Sequence, residues 1–314
     1  MTPIGAGRYA PSPTGSLHVG NLRTAVAAWC SARARGLRFL LRVEDLDEAR
    51  CRPELEACQL EDLKALGISW DEEPLRQTER LDIYTGQLEV LKERRLAYPC
   101  FCSRKEIREA SSAPHGPPPG VYPGTCARIP YADAKARMAA GEQHCWRLRV
   151  HGAPRQFFDA FAGDCRLDLD ELGGDFVIRR ADGFFAYQLA CAVDDALSGV
   201  TEVLRGDDLL DSGARQAWLL SCLGLPVPRY LHLPLVHGAG GERLAKRLGS
   251  ADLRGLATAG HDRGAVLGWI GWSLGQCAPG ARPSMEELAA GWDLAKVPRE
   301  TVVFDEQTLA GFRG

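Results

Sequence analysis

The sequence predicts an α/β fold, and three observations carry that expectation. Residues 4–45 read as strand, turn, helix, strand. A Pro- and Gly-containing loop separates that first strand from that first helix. A strand at 200–204 and a helix at 212–223 resume the pattern far downstream, beyond a stretch at 111–125 dense in Ser, Pro and Gly.

The elements follow in order. Residues 4–10 (Ile-Gly-Ala-Gly-Arg-Tyr-Ala) make a short strand, and Pro11-Ser12-Pro13-Thr14-Gly15 stops it. From Leu17 the period turns helical, with Leu22, Ala25, Val26 and Trp29 at i, i+3, i+4 and i+7. Gly36 closes the helix, and Arg33 and Arg35 suit its negative end. Phe39-Leu40-Leu41-Arg42-Val43 is a buried strand ending at Glu44-Asp45, which completes a βαβ unit of right-handed crossover. A second helix starts near Pro53 and runs through Leu55, Cys58 and Leu66 to Gly67; a third covers 80–95. Residues 176–180 and 184–190 flank Ala181-Asp182-Gly183 as the arms of a hairpin. After residue 250 short helices dominate.

Composition narrows the function classes. The chain has 314 residues, which suggests two or three domains. Hydrophobic residues at 45% and charged residues at 25% exclude wholesale disorder. No apolar run approaches the ~18 residues of a membrane span. The N-terminus has neither a basic n-region nor an apolar h-region, so a cytoplasmic protein without membrane contact is expected. A net charge of −3 leaves no global nucleic-acid footprint. Residues 101–150 nonetheless carry 8 basic and 4 acidic residues, a local excess able to meet phosphate. The 11 cysteines are scattered and do not read as a disulfide framework.

Two groups of residues carry chemistry. The loop 11–20 joins a strand to a helix N-terminus, where exposed N–H groups and the helix dipole favour anions. Gly15 and Gly20 allow close backbone approach, and His18 at the helix start can donate to a phosphate oxygen. Glu44 and Arg205 each end a predicted strand, on the side where ligands of open α/β sheets bind. Separately, Cys100, Cys102 and Cys126 bracket the Pro-rich loop and suggest structural zinc, which wants four ligands. Tyr122, His115 and His144 are the candidates for the fourth, with histidine the better generic choice.

Residues 8–25, Arg-Tyr-Ala-Pro-Ser-Pro-Thr-Gly-Ser-Leu-His-Val-Gly-Asn-Leu-Arg-Thr-Ala, resemble the signature of glutamyl-tRNA synthetases, which are class I aminoacyl-tRNA synthetases. His18-Val19-Gly20-Asn21 matches their His-Ile-Gly-His motif at the first and third positions, with Asn21 in place of the last histidine. Arg243-Leu244-Ala245-Lys246-Arg247 resembles their lysine loop; it keeps Lys246, but Arg243 replaces the first lysine and Ala245 the serine. The resemblance implies a Rossmann-type nucleotide-binding catalytic domain. It implies His18 and Lys246 as catalytic groups, and ATP contacts at His18, Gly20, Arg243 and Lys246. For glutamate it implies Arg8, Ala10, Ser12, Glu44, Tyr187 and Arg205. Mg²⁺ would accompany ATP. The spacing Cys-x-Cys, Tyr-x₃-Cys resembles that of glutamyl-queuosine tRNA(Asp) synthetases and implies one structural Zn²⁺ on Cys100, Cys102, Tyr122 and Cys126.

The implied organisation is a catalytic half at 1–97, an inserted zinc-bearing α+β subdomain at 98–190, a second catalytic half with the lysine loop at 191–250, and a short helical C-terminal part at 251–314. Only 68 residues follow Lys246, too few for the helical anticodon-reading domain of a full glutamyl-tRNA synthetase. The resemblance therefore implies activation of L-glutamate without tRNA. Transfer would follow to the cyclopentenediol of queuosine in the anticodon loop of tRNA(Asp), by a monomer. The alternatives are charging of a tRNA 3′ end and an inactive tRNA-binding paralogue.

Overall fold

A computed structural model describes residues 5–112, 118, 120–241, 244 and 251–312. The first unit is β1 (Ala6–Tyr9), α1 (Val19–Ala34) and β2 (Arg38–Val43), with β1 and β2 parallel and Ala6 opposite Arg38. Next come α2 (Pro53–Ala65), a short β3 (Leu75–Arg76) parallel to β2, and α3 (Leu81–Glu93). The sequence sees a single apolar face on α1. In the fold, Val19, Leu22, residues 25–30 and Ala32 are all buried, because the sheet covers one side and C-terminal helices the other.

The chain continues with β4 (Ala97–Cys100), α4 (Arg104–Ser112) and α5 (Tyr131–Ala139). β5 (Cys145–Leu148) pairs antiparallel with β4, setting Cys145 opposite Cys100. β6 (Gln156–Asp159) and β7 (Gly163–Arg166) form a hairpin, and β8 (Phe176–Arg179) returns to β5. The expected second hairpin arm at 184–190 is not a strand. Beyond a single bridge from Arg179 to Phe185, α6 (Tyr187–Leu197) takes over. The cause is period: Leu189, Ala190, Ala192 and Val193 bury one helical face against α3 and the next helix, which an alternating strand would have split.

The chain then re-enters the parallel sheet through β9 (Glu202–Gly206), α7 (Leu210–Leu223) and β10 (Arg229–Leu233). β9 lies against the free side of β1, where Ala6 bridges Val200 and the Thr201 N–H donates to Ala6 O at 2.8 Å. The spatial order is thus β3-β2-β1-β9-β10, all parallel. It reverses between β1 and β9, so a crevice opens at their carboxyl ends. β11 (Val236–Gly238) leads toward the segment holding Arg243 and Lys246.

Residues 251–312 supply α8 (Leu253–Thr258), α9 (Arg263–Ser273), α10 (Met285–Ala290), β12 (Val302–Phe304) and α11 (Glu306–Ala310). They build no core of their own. Trp269, Ile270, Met285 and Leu288 bury into the same cluster as Leu22, Val26 and Trp29 of α1, and β12 pairs with β11. No described helix is long and apolar enough to cross a membrane. All eleven cysteines are free of disulfides.

Candidate active site

The cleft at the β1/β9 crevice has a volume of about 460 Å³. Arg8, Ala10, Ser12, His18, Gly20, Glu44, Tyr187 and Arg205 all line it. Arg243 and Lys246 lie outside the described residues, as does His115. Leu244, between those two basic positions, lines the same cleft. Just beyond them, Ala251 O accepts the Val19 N–H at 2.8 Å and so ties the chain to the start of α1.

His18 is the N-cap of α1. Its Nδ1 accepts the Asn21 N–H at 3.3 Å, and Asn21 Oδ1 accepts the His18 N–H at 3.2 Å, a reciprocal capping box. With Nδ1 an acceptor, the neutral ring carries its proton on Nε2. Burial lowers the pKa of His18 and favours that neutral form. Gly20 keeps room for the ring: a Cβ there would stand 3.1 Å from His18 Nδ1 and Cε1. The loop in front is pinned from α2, where Gln59 Nε2 donates to Ser12 O at 3.1 Å and to Gly15 O at 2.7 Å.

Charge is arranged in two groups. Arg8 and Arg42 converge on Asp195 of α6, with Arg8 Nε 3.2 Å from Asp195 Oδ1. Burial pushes the Asp195 carboxyl up, but Arg42 and then Arg8 outweigh it and hold the carboxyl below its usual range. Glu44 receives Arg42 Nη2 at 3.1 Å and the Cys191 thiol at 3.0 Å, both on Oε1. On the opposite wall Arg205 is buried to 6% exposure, and its Nη1 lies 3.3 Å from the Tyr187 hydroxyl.

The cysteine group is separate from this cleft. The sulfurs of Cys100, Cys102 and Cys126 lie within 4.8 Å of one another and could hold a metal ion. The Tyr122 hydroxyl sits 3.3 Å from Cys100 Sγ and 3.9 Å from Cys102 Sγ. It accepts the Cys126 N–H at 2.9 Å, and the Arg147 guanidinium lies 3.9 Å over its ring, two features that suit a phenolate oxygen. His144 instead packs against Phe101 and Trp146, and its Nδ1 faces Glu142 O at 3.0 Å. Of the two candidates among the described residues, Tyr122 brings its oxygen to the sulfurs, while the His144 ring nitrogen is spent on a backbone carbonyl. Three thiols and a phenol suit a borderline-soft cation that accepts four ligands.

Comparison with known proteins agrees with this geometry. Residues 6–270 match the family model of the catalytic domain of class I tRNA synthetases (E and Q). A glutamyl-Q tRNA(Asp) synthetase of Nocardia farcinica is 48% identical, over 97% of this chain and 94% of that protein. One from Symbiobacterium thermophilum is 44% identical over 98% of both. The chain belongs to the glutamyl-Q tRNA(Asp) synthetase branch of the class I glutamate and glutamine tRNA synthetase family. Among solved structures, a glutamate-tRNA synthetase from Elizabethkingia anophelis superimposes with a TM-score of 0.86 at 26% identity, covering 98% of this chain and 69% of that one.

In this class I synthetase fold several residues that hold the cleft's side chains or loop escape a sequence reading. Arg42, Asp195, Cys191, Gln59 and His232 each bond a residue far along the chain. The one legible signal is Asp194-Asp195, an acidic pair inside an otherwise apolar helix and almost wholly buried. Asp194 collects Gln77 Nε2 at 3.0 Å, Arg80 Nε at 2.7 Å and the Tyr84 hydroxyl at 2.7 Å.

Proposed function

We propose that this chain activates L-glutamate with ATP and transfers the glutamyl group to the cyclopentenediol of queuosine in tRNA(Asp). The observation that carries the reading is the convergence of Arg8, Ala10, Ser12, His18, Gly20, Glu44, Tyr187 and Arg205 on one cleft, in a chain whose relatives bear that name. An α-carboxylate oxygen of glutamate attacks the α-phosphorus of ATP, and pyrophosphate leaves. A hydroxyl oxygen of the cyclopentenediol then attacks the acyl carbon, its proton is lost, and AMP leaves. No protein nucleophile is required. The protein supplies alignment and positive charge.

In this reading the Nε2–H of His18 donates to a phosphate oxygen beside the N-terminus of α1. Lys246 and Arg243 add charge there, on the strength of the motif alone. Arg205 and Tyr187 receive the substrate's side-chain carboxylate. Glu44 receives the ammonium through Oε2, since both of its protein bonds end on Oε1. Arg8 and the Ala10 and Ser12 backbone border the α-carboxylate. Mg²⁺ bound with ATP supplies charge neutralisation on the phosphates.

Cys100, Cys102, Tyr122 and Cys126 would hold one Zn²⁺, which would stiffen the basic insertion where RNA would dock. The deciding experiment is transfer of labelled glutamate to bulk tRNA from queuosine-containing and queuosine-free cells. Label on the queuosine-containing tRNA alone is expected. Equal label on both would replace this reading with 3′-end charging.

A further inference from the structure

Among the described residues, the four hydrogen-bond partners of Arg205 are all neutral. Nε donates to His232 Nε2 at 2.9 Å, Nη1 to Gln216 Oε1 at 2.9 Å and to the Tyr187 hydroxyl, and Nη2 to Leu209 O at 3.3 Å. The nearest acid in that chain of contacts is one imidazole away. Asp159, at the end of β6 in the insertion, receives His232 Nδ1 at 2.7 Å. It also accepts the backbone N–H groups of Phe161 at 2.9 Å and Ala162 at 2.8 Å. Both Asp159 and His232 are buried at 0–1% exposure.

This geometry fixes the tautomer of His232. Asp159 takes the Nδ1 proton, so Nε2 offers a lone pair to Arg205. Gly213 leaves space for the ring, since a Cβ there would lie 2.9 Å from His232 Cε1. The stacked Tyr230 ring holds it from the side, 6.1 Å away between centroids.

We propose that His232, set by Asp159, is a positioning residue that fixes Arg205 through a neutral acceptor and so keeps its full charge for the substrate carboxylate. A carboxylate bonded directly to Arg205 would orient it equally well but would neutralise it. The imidazole separates the two tasks. Protonation of His232 would remove the lone pair and place a second cation against Arg205. The charged groups facing the ring are Asp159 from β6, Arg205 from β9, Arg8 from β1 and Asp207 just after β9. Burial is the largest influence and lowers its pKa below the ordinary value.

The inference rests on Arg205 reading the glutamate carboxylate. Its test is ATP–pyrophosphate exchange with glutamate between pH 5.5 and 8, on the full chain and on His232→Leu and His232→Gln. Glutamine can accept from Arg205 and donate to Asp159, as the imidazole does. The expected result is a KM for glutamate about tenfold or more higher in His232→Leu, with most of that loss recovered in His232→Gln and KM for ATP little changed. In the wild type that KM climbs at acid pH; in His232→Gln the acid rise disappears. Thermal unfolding checks each variant, and if His232→Leu does not fold, the acid limb of His232→Gln decides alone. Equal losses in both variants, parallel rises in both KM values, or an unchanged acid limb would overturn the positioning role. No exchange by the wild type would instead overturn glutamate activation itself.

Discussion

Asn21 and His18 cap each other: each side chain accepts the other's backbone N–H, at 3.2 and 3.3 Å. The departure from the His-Ile-Gly-His motif at its last position thus has a structural use. Asn21 closes the first turn of α1 and commits His18 Nδ1 as an acceptor, which leaves Nε2–H for the cleft.

That relationship separates two substitutions. His18→Ala is expected to slow adenylate formation about 100-fold or more through loss of a phosphate donor. Asn21→Ala keeps the imidazole and loses half of the box, so it should cost about 1 kcal/mol of stability with a smaller kinetic effect. Pyrophosphate exchange and urea unfolding on both variants read the difference.

Asp195 is the common acceptor of Arg8 and Arg42, with all three side chains almost wholly buried. Asp195→Ala leaves two guanidinium groups without their carboxylate and is expected to destabilise the chain by about 3–5 kcal/mol. Asp195→Asn keeps a hydrogen-bond acceptor but not the charge, and should fall between it and the wild type. Denaturant midpoints at constant m-value provide the measurement.

Removing a cysteine ligand separates the metal group from the cleft. Cys102→Ser is expected to lower metal affinity by about 10-fold or more. Transfer to tRNA should fall with it, whereas pyrophosphate exchange should persist, because Cys100, Cys102 and Cys126 do not line the cleft at the β1/β9 crevice. Metal content by mass spectrometry, taken with both activities, checks this. Unchanged transfer in a metal-free variant would remove the metal from RNA docking.

Asp62 on α2 gives a pH dependence of definite sign. Burial is the main cause that pushes its carboxyl up to about 6, with Asp252 and Glu61 adding to it against Arg254. An unfolded aspartate titrates near 3.9, so between about pH 4 and 6 the native state binds a proton that the unfolded state has lost. This group's contribution to stability therefore falls as pH rises through that window. Asp62→Asn is expected to stabilise the chain by about 1–3 kcal/mol at pH 7.5, with the gain vanishing toward pH 4. Urea unfolding at the two pH values tests it.

The first βαβ unit was readable because its determinants are local. A strand, a Pro/Gly break, a 3.6-residue apolar period and a second strand occupy residues 6–43 in sequence, and the structure places them there. Residues 184–190 were misread because Phe184 and Phe185 look like strand residues, while the helix that follows is specified by what α3 and α7 press against it. The strands β4–β7, β10, β11 and β12 are three to five residues long, too short for a period to register.

The sequence by itself determined the turn between the first strand and helix, the residues whose motif spacing marks the cleft, and the grouping of Cys100, Cys102 and Cys126. Those are residue types at short spacings, and short spacings survive as pattern. Tertiary structure alone decided how the site is held. It brings Arg42 to Asp195 across 153 positions, Cys191 to Glu44 across 147 and His232 to Asp159 across 73. A buried charge must find its partner wherever the fold supplies one, and sheet order, not sequence distance, sets which side chains meet.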